Sequence, residues 1–266
     1  MRELATRVFT TCVARWLAHI CSHSVAFGRI ARMAKGALRE AWCSARSQPL
    51  IPLYYLVGSM GGGRDGTPVI LVHGYGQNCA AFRVLAAALS VRGLGPIHAF
   101  NYPWFADIRD NAERLRRRIE RVAAANGAAQ VDLVAHSLGG IVVMEYLRSY
   151  ASVGLVRRCV TIASPHDGVS LRNPVPGRAS AQLRRGCEYL RELASVRVTV
   201  PALSIASSAD LIAYPASACS LASRGGRHVT VRDSWHLSLL FSEPIASLVA
   251  GFLKAKARPL NDCEVQ

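Results

Sequence analysis

Ser137 stands in VDLVAHSLGG, where a run of β-forming residues stops at a serine preceded by His136 and followed, after Leu138, by Gly139 and Gly140. A serine raised on a sharp turn between a strand and a helix is a nucleophile if a base takes its proton. It needs small neighbours, because larger side chains there collide with the adjacent strand and helix. Gly139 supplies one small residue two places on; two places before, Ala135 stands where glycine is usual. A serine at such a junction also caps a helix starting at Leu138, and this stretch alone leaves both readings open.

The chemistry requires more than a serine. Asp210 lies in SSADLIAYPAS, just after the strand-like VPALSIASS, and His236 lies in SWHLSLL, just after RHVTVRD. Each alone is ordinary, an aspartate capping a turn and a loop histidine. In the order Ser, Asp, His, on loops after successive strands, they form a nucleophile, its orienting carboxylate and its base. Asp167, in SPHDG, is the competing carboxylate, one strand earlier. A tetrahedral intermediate also needs two backbone donors. One candidate is the N–H of Leu138, at the start of the following helix, where the helix dipole assists. The other is the N–H of Tyr75 in LVHGYGQN, after the freely turning Gly74. His73, His136 and His166 are assigned to packing or loop hydrogen bonds, since none follows the last strand.

These residues need a scaffold whose strand ends converge. PVILVHG, IHAFNYP, VDLVA, RRCVTIASP, VPALSIASS and RHVTVRD read as strands, with LIPLYYLVG before them. Helices are expected over AAFRVLAAALSVRG, from about Asp107 to Asn126, over SLGGIVVMEYLRSYA, and from about Leu239 to Lys254. Alternating apolar strands and helices specify an α/β fold with a mostly parallel central sheet covered on both faces. The segment from about 166 to 198 is less regular and reads as a small cap. Its Leu183, Tyr189, Leu190 and Leu193 are expected on one helical face, covering an acyl chain or simply packing on the sheet.

Residues 1–48 read as a helical extension, and 49–266 as the catalytic domain. Leu4, Val8, Cys12, Trp16 and Ile20 recur every four residues, and a second helical stretch runs from about Phe27 to Trp42. Arg15, His19 and His23 interrupt the first stretch, so it lacks the roughly 20 apolar residues of a span, and it has no compact signal-peptide core. The expectation is a cytoplasmic or membrane-peripheral protein. Eight basic residues against Glu3 and Glu40 leave the extension near +6, which suits peripheral contact with anionic lipid or packing on the domain. A chain beginning near Arg46 is then expected to keep its activity on soluble esters. The net charge of +15 comes almost wholly from arginines scattered along the chain, and no aromatic-interleaved basic stripe points to nucleic acid. The eight cysteines have no CxxC spacing, and few acidic residues lie near Asp210 or His236, so no metal site is expected.

Together VILVHGYGQN, VDLVAHSLGG, VTIASPHDGV, SSADLIAYPASA and WHLSLL resemble, in order and spacing, bacterial α/β-hydrolases of the triacylglycerol lipase and carboxylesterase type. The resemblance runs from about Pro49 to Leu253, and QLRRGCEYLREL is similar to a segment near the acyl site of such lipases. It implies an α/β-hydrolase fold, a Ser137, Asp210 and His236 triad, an oxyanion hole from Tyr75 and Leu138, an ester or lipid substrate, and no cofactor. An acyltransferase or amidase on the same triad, or a binding protein of the same fold, are the alternatives.

Overall fold

The computed structural model describes residues 36–43, 45, 59–63, 66–170, 177–232 and 234–255. The apolar stripe from Leu4 to Ile20 and the strand expected over LIPLYYLVG lie outside the described residues, as does 171–176 within the cap.

Among the described residues six strands form one parallel sheet: β1 (Val69–Val72), β2 (Ile97–Phe100), β3 (Val131–His136), β4 (Val156–Ile162), β5 (Ala202–Ser207) and β6 (Arg227–Val231). Their order is β2-β1-β3-β4-β5-β6. Apart from the edge strand β6, the strands are apolar runs buried almost throughout, as expected where helices cover both faces. On one face, α2 (Ile108–Ala125), α3 (Leu138–Tyr150) and α5 (Glu188–Ala194) pack around Ile70, Leu133 and Cys159. On the other, α1 (Arg83–Val91) and α6 (Glu243–Lys254) pack around Leu71, Val134 and Ile205.

Local sequence explains the boundaries. Asp107 caps α2, its carboxylate accepting the Arg109 N–H at 2.8 Å. Ala112, Leu115, Ile119 and Val122 face the core as their spacing predicts, while Glu113 and Glu120 pair with arginines on the outer side. The closing helix differs from expectation. Ser238–Phe241 forms a 3₁₀ turn, and α6 begins only at Glu243, because Pro244 lacks an N–H and fits only in a helix's first turn. In the cap, Leu183 ends the short α4 (Arg178–Gln182) and is separated from α5 by the turn through Gly186. It therefore does not share a helical face with Tyr189, Leu190 and Leu193. All four are buried in the core cluster that includes α3, which is the packing alternative.

The chain leaves β1 for β2 on one side and returns to β3 on the other. Such a reversal opens a crevice at the carboxyl ends of the two central strands. Val72 pairs in register with Ala135, so His73 and Gly74 continue opposite His136 and Ser137.

Candidate active site

Ser137 ends β3 with φ 52° and ψ −123° and immediately begins α3. A non-glycine residue in this region is strained, and such strain persists only where the surrounding structure enforces it. Here the enforcement is close packing of α3 on β1. A Cβ on Gly139 would collide with the Val72 and His73 carbonyl oxygens, and one on Gly140 would collide with Ser164. The small residues beside the serine thus let its helix approach the sheet.

The capping alternative is answered by the serine's own side chain, which makes no hydrogen bond to the helix it begins. Its Oγ lies 2.9 Å from His236 Nε2 instead. His236 Nδ1 lies 2.7 Å from Asp210 Oδ2, and the carboxylate, which can only accept, places the ring proton at Nδ1. Nε2 is left to accept from the serine hydroxyl. The other Asp210 oxygen accepts the Ile212 N–H at 2.8 Å and the Ala213 N–H at 3.0 Å. Burial works to raise the Asp210 carboxyl, but the hydrogen bond and charge of His236, with the two backbone N–H bonds, outweigh it and hold the group below its ordinary range. All three residues are buried: Ser137 is 8% exposed, His236 7% and Asp210 1%. Asp167 is exposed, with its backbone N–H bonded to the Ala218 carbonyl at 3.0 Å, and it is not the histidine's partner.

Leu138 directly follows Ser137, and Tyr75 lies in the loop packed against it; their N–H groups are the two donors expected from the sequence. Leu138 opens α3, where a backbone N–H has no acceptor within the helix and lies at the positive end of its dipole. Tyr75 follows Gly74, and a Cβ on Gly74 would sit 3.0 Å from the Ser137 Cβ and 3.2 Å from His136 Nδ1. The β1 loop therefore lies directly against the serine, and a side chain at position 74 would press on Ser137, His136 and Gln77. Gln77 braces the loop, its amide oxygen accepting the Gly74 N–H at 3.1 Å. The Tyr75 ring packs on Trp104 at 4.5 Å, and Trp104 meets Phe105 edge-on.

His73, His136 and His166 are buried beside the relay or in its loops. His73 lies 2.9 Å from the Gly74 carbonyl through Nδ1, accepts the Tyr102 N–H through Nε2 at 3.4 Å, and stacks on the Tyr102 ring. Burial presses it to about 4. His136, pressed to about 3 by burial and then by the nearby His236, is neutral, and its Nε2 lies 3.2 Å from the His236 carbonyl oxygen. It holds the backbone of the histidine loop. His166 is likewise pressed to about 3, chiefly by burial. Nothing in the residue pattern announces the partners of His136, because its ring meets Gln77 and the His236 carbonyl, 59 and 100 residues away in the chain.

Exposed apolar side chains stand on the loops after β2 and β5. Phe105 follows β2, while Leu211, Ile212 and Tyr214 follow Asp210 directly. Cap residues lie against both groups: Arg178 N–H bonds the Phe105 carbonyl, and the Arg185 guanidinium bonds the Tyr214 carbonyl.

A family model described as the alpha/beta hydrolase family matches residues 69–235. Among solved structures, the fold is similar to that of lipase B from Aspergillus fumigatus, with a TM-score of 0.65 at 19% identity over 71% of this chain and 53% of that one. The chain thus spans about half the length of that lipase. It is also similar to a Bacillus licheniformis lipase in mature form, with a TM-score of 0.60 at 16% identity over 72% of this chain and 95% of that one. A carboxylesterase from Bacillus subtilis gives 0.52 at 17% identity over 83% and 99%. At these identities the likeness is one of fold.

Proposed function

The chain belongs to the alpha/beta hydrolase family, and from that premise we propose that it is a serine hydrolase of carboxylic esters, a lipase or esterase, using Ser137, His236 and Asp210. The observation that carries this reading is the continuous relay from Ser137 Oγ through His236 to Asp210, at 2.9 and 2.7 Å, on a strained turn with no capping bond. His236 Nε2 takes the serine proton as Oγ attacks the acyl carbonyl. Asp210 holds the ring and offsets the imidazolium charge, and the Leu138 and Tyr75 N–H groups receive the oxyanion. The imidazolium returns its proton to the leaving alcohol. Water then repeats the sequence on the acyl-enzyme, releasing the acid and restoring the serine.

The exposed Phe105, Leu211, Ile212 and Tyr214 on the loops after β2 and β5 favour an acyl ester with apolar chains over a polar substrate. The test is labelling with a fluorophosphonate probe, followed by hydrolysis of p-nitrophenyl esters of short and long acyl chains. Labelling and turnover in the wild type, both absent from Ser137→Ala, is the expected result. Turnover that survives in Ser137→Ala, or a wild-type chain that neither labels nor hydrolyses, refutes the proposal.

A further inference from the structure

Residues 36–43 form a helix that lies outside the sheet domain in sequence but packs on the loop carrying His236. The contacts repeat at i, i+4 and i+7. Gly36 lies so close to Trp235 that a Cβ there would collide with the indole. Glu40 is half-buried, with its Oε1 accepting the Leu237 N–H at 2.5 Å and its Oε2 accepting the Ser238 N–H at 2.9 Å. Cys43 is fully buried in the same core cluster as Leu237, Leu239 and Leu240. The other face, from Ala37 through Leu38 and Arg39 to Ala41 and Trp42, is exposed. One stripe of this helix is therefore committed to the sheet domain.

From these contacts we propose that Glu40 is a positioning residue for His236, so that the N-terminal segment completes the catalytic site. The inference rests on the hydrolase reading above. Leu237 and Ser238 are buried, and their N–H groups begin the 3₁₀ turn Ser238–Phe241, where a short helix has no internal acceptors to offer. A carboxylate receiving both fixes that turn from outside the domain. His236 is the residue immediately before. Its own carbonyl oxygen faces His136 Nε2 at 3.2 Å, so the backbone of the base is held on one side by the nucleophile strand and on the other by Glu40. The ring is hydrogen-bonded at its tips to Ser137 and Asp210 and packs on the His136 ring at 4.7 Å, and these contacts depend on where the backbone stands. With the carboxylate gone, two buried donors must reach for water, and the histidine moves with them. A misplacement of about 1 Å is enough to lower turnover roughly a hundredfold without altering substrate binding.

The experiment uses the full chain with Glu40→Ala and the near-isosteric Glu40→Gln. Active sites are counted by stoichiometric fluorophosphonate titration, and kcat per titrated site and KM are measured on p-nitrophenyl butyrate. Glu40→Ala is expected to lose about a hundredfold in kcat per site with KM within about twofold of wild type. Glu40→Gln keeps one acceptor oxygen and is expected to recover only in part, to about three- to tenfold below wild type in kcat per site. A loss confined to the number of titratable sites, with kcat per site unchanged in both variants, means that Glu40 only helps the chain fold and overturns the proposal. A rise in KM at constant kcat overturns it too. If Glu40→Ala yields no folded protein, the kcat of Glu40→Gln decides, and a value within twofold of wild type counts against positioning. An unlabelled wild type sinks the hydrolase reading and this inference together, whereas a labelled wild type with fully active variants sinks this inference alone.

Discussion

Replacing Asp210 by asparagine exchanges one carboxylate oxygen of the relay for an amide NH₂ and tests its logic directly. The wild-type carboxylate accepts three hydrogen bonds, two on Oδ1 from Ile212 and Ala213 and one on Oδ2 from His236 Nδ1. An amide can meet these neighbours in only two ways. With its oxygen toward Ile212 and Ala213, both backbone bonds survive and the NH₂ faces His236. In the reverse orientation the NH₂ meets two backbone N–H donors, leaving buried groups unsatisfied at about 1–3 kcal/mol each. The first arrangement therefore wins by roughly 2–6 kcal/mol. It presents a donor to Nδ1, so the ring proton moves to Nε2, which then points a donor at Ser137 Oγ and can no longer accept its proton. The expected loss is about 10⁴-fold in kcat, or about 5.5 kcal/mol of activation free energy, with little change in KM and an intact fold. Steady-state turnover of p-nitrophenyl butyrate measures it, and Asp167→Asn serves as the control, expected within about threefold of wild type because Asp167 is exposed and away from the ring. An Asp210→Asn enzyme retaining more than a tenth of wild-type kcat, or an Asp167→Asn loss exceeding that of Asp210→Asn, refutes the tautomer argument.

Two further predictions rest on the same geometry, and a third on the sequence of the N-terminal stretch. Ser137→Gly and Ser137→Ala are both expected to be inactive, but glycine adopts φ 52°, ψ −123° freely, so the glycine variant should be the more stable by about 1–2 kcal/mol in denaturant unfolding. Equal stabilities would show that the turn is unstrained. His73, His136 and His166 are held neutral in the fold at about 4, 3 and 3 but protonate near pH 6.5 when unfolded. The unfolded state thus binds the extra protons, and stability falls as the pH drops from about 6.5 toward 4, by up to about 4 kcal/mol per pH unit for the three together. Urea unfolding at pH 7 and pH 5 checks this, and His166→Gln should reduce the slope by about a third; a stability that does not change over that range contradicts the assignment. The stripe of Leu4, Val8, Cys12, Trp16 and Ile20 is proposed to contact anionic lipid, each nearby basic residue adding about 1 kcal/mol. Trp16→Asp should then reduce flotation with anionic vesicles and leave turnover of a soluble butyrate ester intact, and unchanged flotation rejects the lipid contact.

The parts of the site that the sequence announces are those written in short windows. VDLVAHSLGG carries its own strand, turn and helix, and the collision that a Cβ at Gly139 would meet explains why a glycine had to stand there. Asp210 and His236 were legible because each ends a run of strand residues, and parallel strands deliver their carboxyl ends to one edge. The cap was less legible. Leu183, Tyr189, Leu190 and Leu193 have helical spacing, yet spacing cannot show that Gly186, at φ 76°, breaks the helix between the first and the rest. Nor can it show that the tyrosine hydroxyl turns inward to donate to Glu145 at 2.9 Å.

The N-terminal extension shows where such reading stops. Periodicity marks a helix near residues 27–42, but it cannot identify what a carboxylate on that helix will accept. Glu40 meets backbone N–H groups almost two hundred residues later, and backbone donors have no signature in the sequence. For the same reason a boundary at residue 48 looks natural on paper, since composition changes there. In the structure the base is held from both sides of that boundary: by His136 from the nucleophile strand and by Glu40 from the extension. A chain beginning near Arg46 would keep every residue of the relay yet lose Gly36, Glu40 and Cys43. Its activity is therefore expected to fall even on a soluble ester, contrary to what residue spacing alone suggests.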